Sequence, residues 1–141
     1  MMIVADCMTA HVLSVRTDET ADVAARLLSR GNIGAVPVLD GREQVVGMLT
    51  DRDLVTRCMA AGKRPADVPV EQIMTAGAVT AGERELVSAA ARRMGQAQIR
   101  RMPVVREGRL VGIVSLTDLA RSGVEGAAQA LTAISSNISR R

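Results

Sequence analysis

The chain contains no Phe, Tyr or Trp. A core without rings must be filled by Val, Leu, Ile, Ala and the eight Met, whose flexible thioethers fit irregular gaps. The same absence removes the rings on which most single-stranded nucleic-acid platforms stack bases. Lysine is almost missing, since of 18 basic residues all but Lys63 are arginine. Arginine is the better fork for phosphates and carboxylates, although an Arg-favouring codon usage would leave the same mark. The arginines gather only in short clusters, Arg92-Arg93, Arg100-Arg101 and Arg140-Arg141, so no nucleic-acid stripe is formed and nucleic acid is not an expected partner.

His11 is the one histidine, and Cys7 and Cys58 do not form a CxxC pair. These three cannot complete a usual structural zinc site, so no metal is expected. The cysteines read as small apolar residues kept reduced; a Cys7–Cys58 disulfide is the alternative, which only geometry can test. No stretch reaches the roughly 18 apolar residues of a membrane span. The start, Met1-Met2-Ile3-Val4-Ala5-Asp6, lacks the basic opening and apolar run of a signal peptide. A cytoplasmic location without membrane attachment is the expectation. Without a Cys–His pair or a histidine beside a nucleophile, an enzyme is not expected.

What remains is a chain of 141 residues, 48% hydrophobic and 23% charged, with a net charge of +3. That suits a soluble globular protein built as one compact domain or two half-size units. The chain repeats itself. Cys7-Met8-Thr9-Ala10 returns as Ile73-Met74-Thr75-Ala76, an offset of 66 residues. Ala24-Ala25-Arg26 and Ala90-Ala91-Arg92 share that offset, as do Val36-Pro37-Val38 and Met102-Pro103-Val104. One residue is lost in the next turn, after which Val46-Gly47-Met48-Leu49-Thr50 matches Val111-Gly112-Ile113-Val114-Ser115, and Asp53-Leu54 matches Asp118-Leu119. The first unit is assigned to 1–62, a Gly/Pro linker to 63–70, the second unit to 71–123, and a tail to 124–141.

Each repeat predicts the order β-α-β-β-α. The first strands are Val12–Val15 and Ala78–Ala81. The helices that follow carry Val23, Ala24, Leu27 and Leu28, then Leu86, Val87, Ala90, Ala91 and Met94, with Gly31 and Gly95 as stops. Hairpins follow: Ala35–Leu39 with Gln44–Thr50 across Asp40-Gly41, and Arg101–Val105 with Leu110–Ser115 across Glu107-Gly108. Arg52–Met59 and Leu116–Ser122 are the closing helices. A unit of about 60 residues is marginal alone. The expected fold is therefore α/β (α+β), two such units packed sheet to sheet with pseudo-twofold symmetry. In the tail, Ala127, Leu131, Ile134 and Ile138 predict a short amphipathic helix.

The most informative pattern is Gly-x-x-[Thr/Ser]-x-x-Asp, seen at Gly47–Asp53 and Gly112–Asp118. Thr50 and Ser115 stand where a strand ends and a helix begins, where backbone N–H groups favour an anion such as phosphate. Asp53 and Asp118 lie in the first helical turn, and a carboxylate accepts two hydrogen bonds at once, as from the hydroxyls of a ribose. Equally, all four residues are of the types that cap helices. Ile33-Gly34-Ala35-Val36-Pro37 and Ile99-Arg100-Arg101-Met102-Pro103 are apolar strands entering proline. Proline belongs at a strand start or sheet edge, where unpaired backbone could read a purine edge. Arg100 and Arg101 face Gly34 and Ala35 in the repeat, so two sites built this way would be chemically unequal.

Taken together, the Met-Thr openings, the apolar-Pro-Val strands and both Gly-x-x-[Thr/Ser]-x-x-Asp endings resemble a tandem pair of cystathionine-β-synthase (CBS) domains, a Bateman module, over Ile3 to Gly123. Thr50-Asp51-Arg52-Asp53-Leu54 is similar to the stand-alone CBS-pair proteins of bacteria. The resemblance implies a non-catalytic regulatory module that binds an adenosyl ligand in clefts between the paired units. AMP, ADP, ATP, S-adenosylmethionine and NAD are all candidates, with AMP or ATP leading, and no cofactor is required. It implies ribose at Asp53 and Asp118 and phosphate at Thr50 and Ser115, with Arg52 beside them. The base pocket would be lined by Ile33–Pro37 and Ile99–Pro103, with backbone near Val12 and Ala78. It also implies a homodimer and an effector protein that receives the signal. The alternative is a structural or partner-binding CBS pair whose pockets no longer function.

Overall fold

The computed structural model describes residues 1–123 and Ile134. The repeat in sequence and the compact unit in space are offset by one segment. Leu13–Ala78 form one unit, here the first; Met1–Val12 join the chain from Val79 onward in the other, the second. Each repeat therefore lends its opening segment to the unit built mainly from the other repeat.

The first unit contains β1 (Val15–Arg16), α1 (Ala21–Gly31), β2 (Ala35–Leu39), β3 (Val45–Thr50), α2 (Asp51–Asp53, continued by a π-helical stretch, Leu54–Met59) and β4 (Thr75–Ala76). Its sheet has the order β1-β2-β3-β4. The second unit contains β5 (Ala81–Gly82), α3 (Val87–Ala97), β6 (Arg101–Arg106), β7 (Arg109–Ser115) and α4 (Leu116–Arg121), with sheet order β5-β6-β7. The arrangement is α+β, as the sequence predicts.

Backbone bonds show how alike the two units are. Val70 N–H donates to Glu19 O at 2.8 Å and Glu71 N–H to Thr17 O at 3.1 Å; in the second unit Val4 N–H donates to Glu85 O at 2.8 Å and Ala5 N–H to Glu83 O at 2.9 Å. Val4 and Val70 are both 0% exposed, each in the aliphatic core of its host unit. Val15, Val36, Val38, Leu49 and Ile73 fill the first core, and Met94, Met102, Val104, Val114 and Leu119 the second. Met94 and Met102, both 0% exposed, supply bulk to the ring-free second core with flexible thioethers. Of the predicted tail helix, Ile134 alone lies among the described residues; it is helical and only 4% exposed in the second core.

Several local expectations shift. The first strand of each repeat is a two-residue strand that begins at Val15 or Ala81, where it pairs with Val38 or Val104. Pro37 and Pro103 precede those partners and have no N–H with which to extend the ladder. The prolines themselves lie inside β2 and β6, opposite Met48 and Ile113, rather than at a strand start. Helix α1 ends on Gly31, but Asn32 takes the left-handed conformation (φ 50°). Gly95 lies within α3, which runs on to Ala97 and ends on left-handed Gln98, whose side-chain amide donates to Gly95 O at 3.0 Å. Such a bond covers a carbonyl that the helix end leaves without a partner. Glu107 (φ 52°) and Gly108 (φ 80°) form the predicted two-residue turn. In the first hairpin the Asp40 carboxylate instead organises a longer loop, accepting from the N–H groups of Arg42 and Gln44 at 2.8 and 3.0 Å. Cys7 and Cys58 are both free thiols, and burial pushes the Cys7 thiol up from its ordinary pKa, with the Asp6 charge adding to it.

The glycine of each Gly-x-x-[Thr/Ser]-x-x-Asp motif marks where the borrowed segment docks. Met74-Thr75 lies against Gly47, and Gly47 pairs with Ala76; Met8-Thr9 lies against Gly112, and Thr9 exchanges two 2.9 Å backbone bonds with Ile113. A Cβ at Gly47 would stand 2.7 Å from Thr75 O, and one at Gly112 would stand 2.9 Å from Thr9 O and 2.6 Å from Met8 Sδ. Gly47→Ala and Gly112→Ala should therefore each cost about 1–3 kcal/mol by overpacking, read as a lower urea midpoint. Unchanged midpoints would mean that the segment shifts without cost.

A bidentate pair, Glu83 with Arg106, ties the end of β5 to the end of β6. Hydrogen bonding from Arg106 holds the Glu83 carboxyl below its ordinary pKa. A depressed carboxyl pKa means that the pair stabilises the fold above the ordinary glutamate range and loses that contribution as pH falls through the lowered value. The stability gap between wild type and Glu83→Gln, followed from about pH 7 to about pH 3, should be constant at first and close only at the acid end.

Candidate functional site

Each closing helix begins with the same reciprocal pair of bonds. In the first unit Thr50 Oγ1 accepts from Asp53 N–H at 3.0 Å, and Asp53 Oδ2 accepts from Thr50 N–H at 3.0 Å. In the second, Ser115 Oγ accepts from Asp118 N–H at 3.0 Å and Asp118 Oδ2 from Ser115 N–H at 2.9 Å. These are capping boxes, so the capping reading of all four residues is realised. It does not exhaust their chemistry. A hydroxyl that accepts can still donate, and a carboxylate retains its second oxygen.

The two carboxylates are not equivalent. Asp53 is 7% exposed, and its Oδ1 lies 3.8 Å from Arg57 Nε. Arg57 is held in place by carbonyls, donating to Met74 O at 3.0 Å. Asp118 is half-buried and has no ion pair among the described residues.

The backbone donors expected to hold a phosphate are engaged elsewhere in the first unit. Asp51 N–H donates to Gly34 O at 3.0 Å, Arg52 N–H to the Asp51 carboxylate at 2.8 Å, and Asp53 N–H to Thr50. In the second unit Leu116 N–H likewise donates to Arg100 O at 2.8 Å. At α2 all three first-turn amides are thus engaged within the unit, by the Gly34 carbonyl, by the Asp51 carboxylate and by the capping box.

The structure gathers some of the predicted residues. In the second unit Arg100, Arg101, Ser115 and Asp118 line one recess of about 700 Å³, together with Thr9, Thr117 and Arg121. That volume falls within the range of small-molecule sites. In the first unit Ile33 and Gly34 line a shallower recess of about 550 Å³ beside Asp51 and α1. Thr50, Arg52 and Asp53 are not part of its lining. Val36 and Met102 are fully buried in the cores, so their side chains are packing residues, as Pro37 and Pro103 are. Ala35 pairs with Thr50 in the sheet, and Ile99 packs on the second core. Val12 and Ala78 are half-buried and line neither recess.

Thr9, Thr117 and Arg121 were not anticipated as lining residues. The repeated Met-Thr pair was the available signal for Thr9, which the docking on Gly112 brings to the strand edge. For Arg121 the available signal was its spacing of three residues from Asp118 on the predicted closing helix, which puts both on one face.

The CBS domain family matches residues 4–60 and 70–125. CBS domain-containing protein YhcV of Bacillus subtilis is 41% identical over 137 residues, covering 96% of this chain and 96% of its own. Hypoxic response protein 1 of Mycobacterium tuberculosis is 35% identical, covering 82% and 81%. The crystal structure of Hypoxic Response Protein I, which has two coordinated zinc ions, superimposes with TM-score 0.79 at 34% identity over 85% of this chain and 98% of that one. Among the described residues here, no three His, Cys, Asp or Glu side chains are grouped to hold a metal. CBSX2 in complex with AMP gives TM-score 0.75 at 25% identity over 87% and 96%. The CBS pair of protein MJ0100, in complex with 5′-methylthioadenosine and S-adenosyl-L-methionine, gives 0.76 at 30% identity over 87% and 96%.

Removing a cap hydroxyl should be felt without any ligand. Thr50→Ala and Ser115→Ala are each expected to lower stability by about 0.5–2 kcal/mol, while Thr50→Ser and Ser115→Thr keep the bond and most of the stability. Equilibrium urea unfolding of the four variants checks this.

Proposed function

The chain belongs to the CBS-domain family, and from that membership we propose that it is a non-catalytic regulatory module which binds an adenosyl ligand at the strand-to-helix edge and signals to an effector protein. One observation carries the reading: a hydroxyl and a carboxylate stand at equivalent positions in both units, and in the second they border an open recess of nucleotide size. Asp118 would accept from the ribose hydroxyls with the oxygen its cap leaves over. Ser115 and Thr117 would donate to the ligand. The ligand complexes of CBSX2 and MJ0100 support the adenosyl class. AMP and ATP are the compounds we would expect first.

The module works by differential affinity. A ligand shifts a conformational equilibrium only as far as it prefers one state. Val55 and Met59 on α2 are large apolar side chains left exposed, 54% and 69% respectively, and are suited to a second copy of the chain. No helix among the described residues is long and apolar enough to cross a membrane, and we propose a cytoplasmic homodimer. A second reading, a scaffold with silent pockets, is favoured at the first unit by the engaged amides of α2 and the Asp53–Arg57 pair.

A thermal-shift panel of AMP, ADP, ATP, S-adenosylmethionine and NAD separates the two. Ligand at a hundredfold excess over its Kd adds about 2.7 kcal/mol to the native state, a rise of several degrees for a chain of this size. Asp118→Ala should abolish the response of the second unit and Asp53→Ala that of the first. A flat panel at millimolar concentrations establishes the scaffold reading instead.

A further inference from the structure

The two edges differ in charge, and the difference is written in the residues at matching positions. Around the second recess stand the guanidinium groups of Arg100, Arg101 and Arg121, with Asp118 as the one carboxylate. All three arginines are exposed, and no ion pair or side-chain hydrogen bond engages them among the described residues. Their counterparts in the first unit are Gly34, Ala35 and Thr56. There Arg52 and Arg57 stand with the carboxylates of Asp51 and Asp53, and Arg57 is already paired with Asp53 at 3.8 Å.

Three guanidiniums with no ion-pair partner among the described residues line one recess, and an anion bound there would offset their mutual repulsion. A planar fork presents paired donors to phosphate oxygens, and the recess has room for more than the adenosyl part. We propose that the second unit's recess selects ligands carrying two or three phosphates, and that the first unit's edge, which has Gly34, Ala35 and Thr56 at the matching positions, does not. This rests on the adenosyl-binding reading above and names its ligand class: a nucleoside di- or triphosphate at the second unit.

The test uses the full chain, calorimetric titration with adenosine, AMP, ADP and ATP in chelator, and repeats at two salt concentrations. Affinity should climb with phosphate number, ATP exceeding AMP by about tenfold or more, and the climb should flatten as salt screens it. In Arg100→Gln/Arg101→Gln/Arg121→Gln the ratio of ATP to adenosine affinity should collapse towards one. Arg121→Gln alone, on the exposed side of α4, should lower it partway, and it serves should the triple variant fold poorly. Lys63→Gln/Arg64→Gln removes the same kind of charge outside both recesses and should leave the ratio as it is. A wild-type ratio near one overturns the proposal, as does a ratio that survives both arginine variants or falls equally in the Lys63/Arg64 control. Adenosine binding with no phosphate preference overturns this inference alone. Failure of all four compounds to bind overturns the adenosyl reading with it.

Discussion

Two close backbone approaches, one at Gly47 and one at Gly112, are what the rest of the architecture depends on. At each, a segment borrowed from the other repeat lies so near the strand that a single methyl group would collide with a carbonyl oxygen. The approach lets Thr75-Ala76 complete the first sheet and lets Thr9 bond to Ile113 on the second. It also sends Val4 and Val70 into cores that would otherwise lie open. A small sheet with two helices buries too little surface to be stable alone. Exchanging segments makes each half depend on the other through the chain itself.

The same approach builds the site. Docking on Gly112 carries Thr9 to the edge where β7 hands over to α4, and the capping box fixes Ser115 and Asp118 there. Helix capping therefore does not exclude the proposed ligand contacts, since the hydroxyl can still donate and the carboxylate keeps its second oxygen. A capped Asp is held by a backbone N–H at fixed geometry, which preorganises its remaining oxygen. The cost of orienting it has been met on folding, so that a ligand bound there would be spared that entropy. Where the cap also buries the carboxylate and a guanidinium sits beside it, as at Asp53, less of that capacity faces solvent.

Duplication has preserved the frame while the charges diverged. The bonds of Val4 and Val70 and the caps at Thr50 and Ser115 correspond residue for residue. The first are backbone bonds, which any residue but proline can make, and the caps need only a small hydroxyl and a carboxylate. Arg100, Arg101 and Arg121 stand against Gly34, Ala35 and Thr56 at exposed positions, where a side chain can change without disturbing the core. The charge of the two edges can thus change separately within one fold.

By itself the sequence determined the repeat, the β-α-β-β-α order, the hairpins and the aliphatic cores. These follow from local periodicity, turn chemistry and the offset between matched residues, none of which needs a distant contact. The cap residues were legible for the same reason, since Thr50 and Asp53 are three positions apart and find each other within one helical turn. Only the tertiary structure decided which repeat hosts each opening segment, because Val4 is as apolar as any core residue and its sequence says nothing of where it is buried. It decided that Val36 and Met102 face inward while Arg100 and Arg101 face the recess, and that the amides of α2 are already engaged. Helical spacing sets Arg121 beside Thr117 and Asp118 on α4, but its approach to Arg100 and Arg101, about twenty positions away, is set by long-range packing.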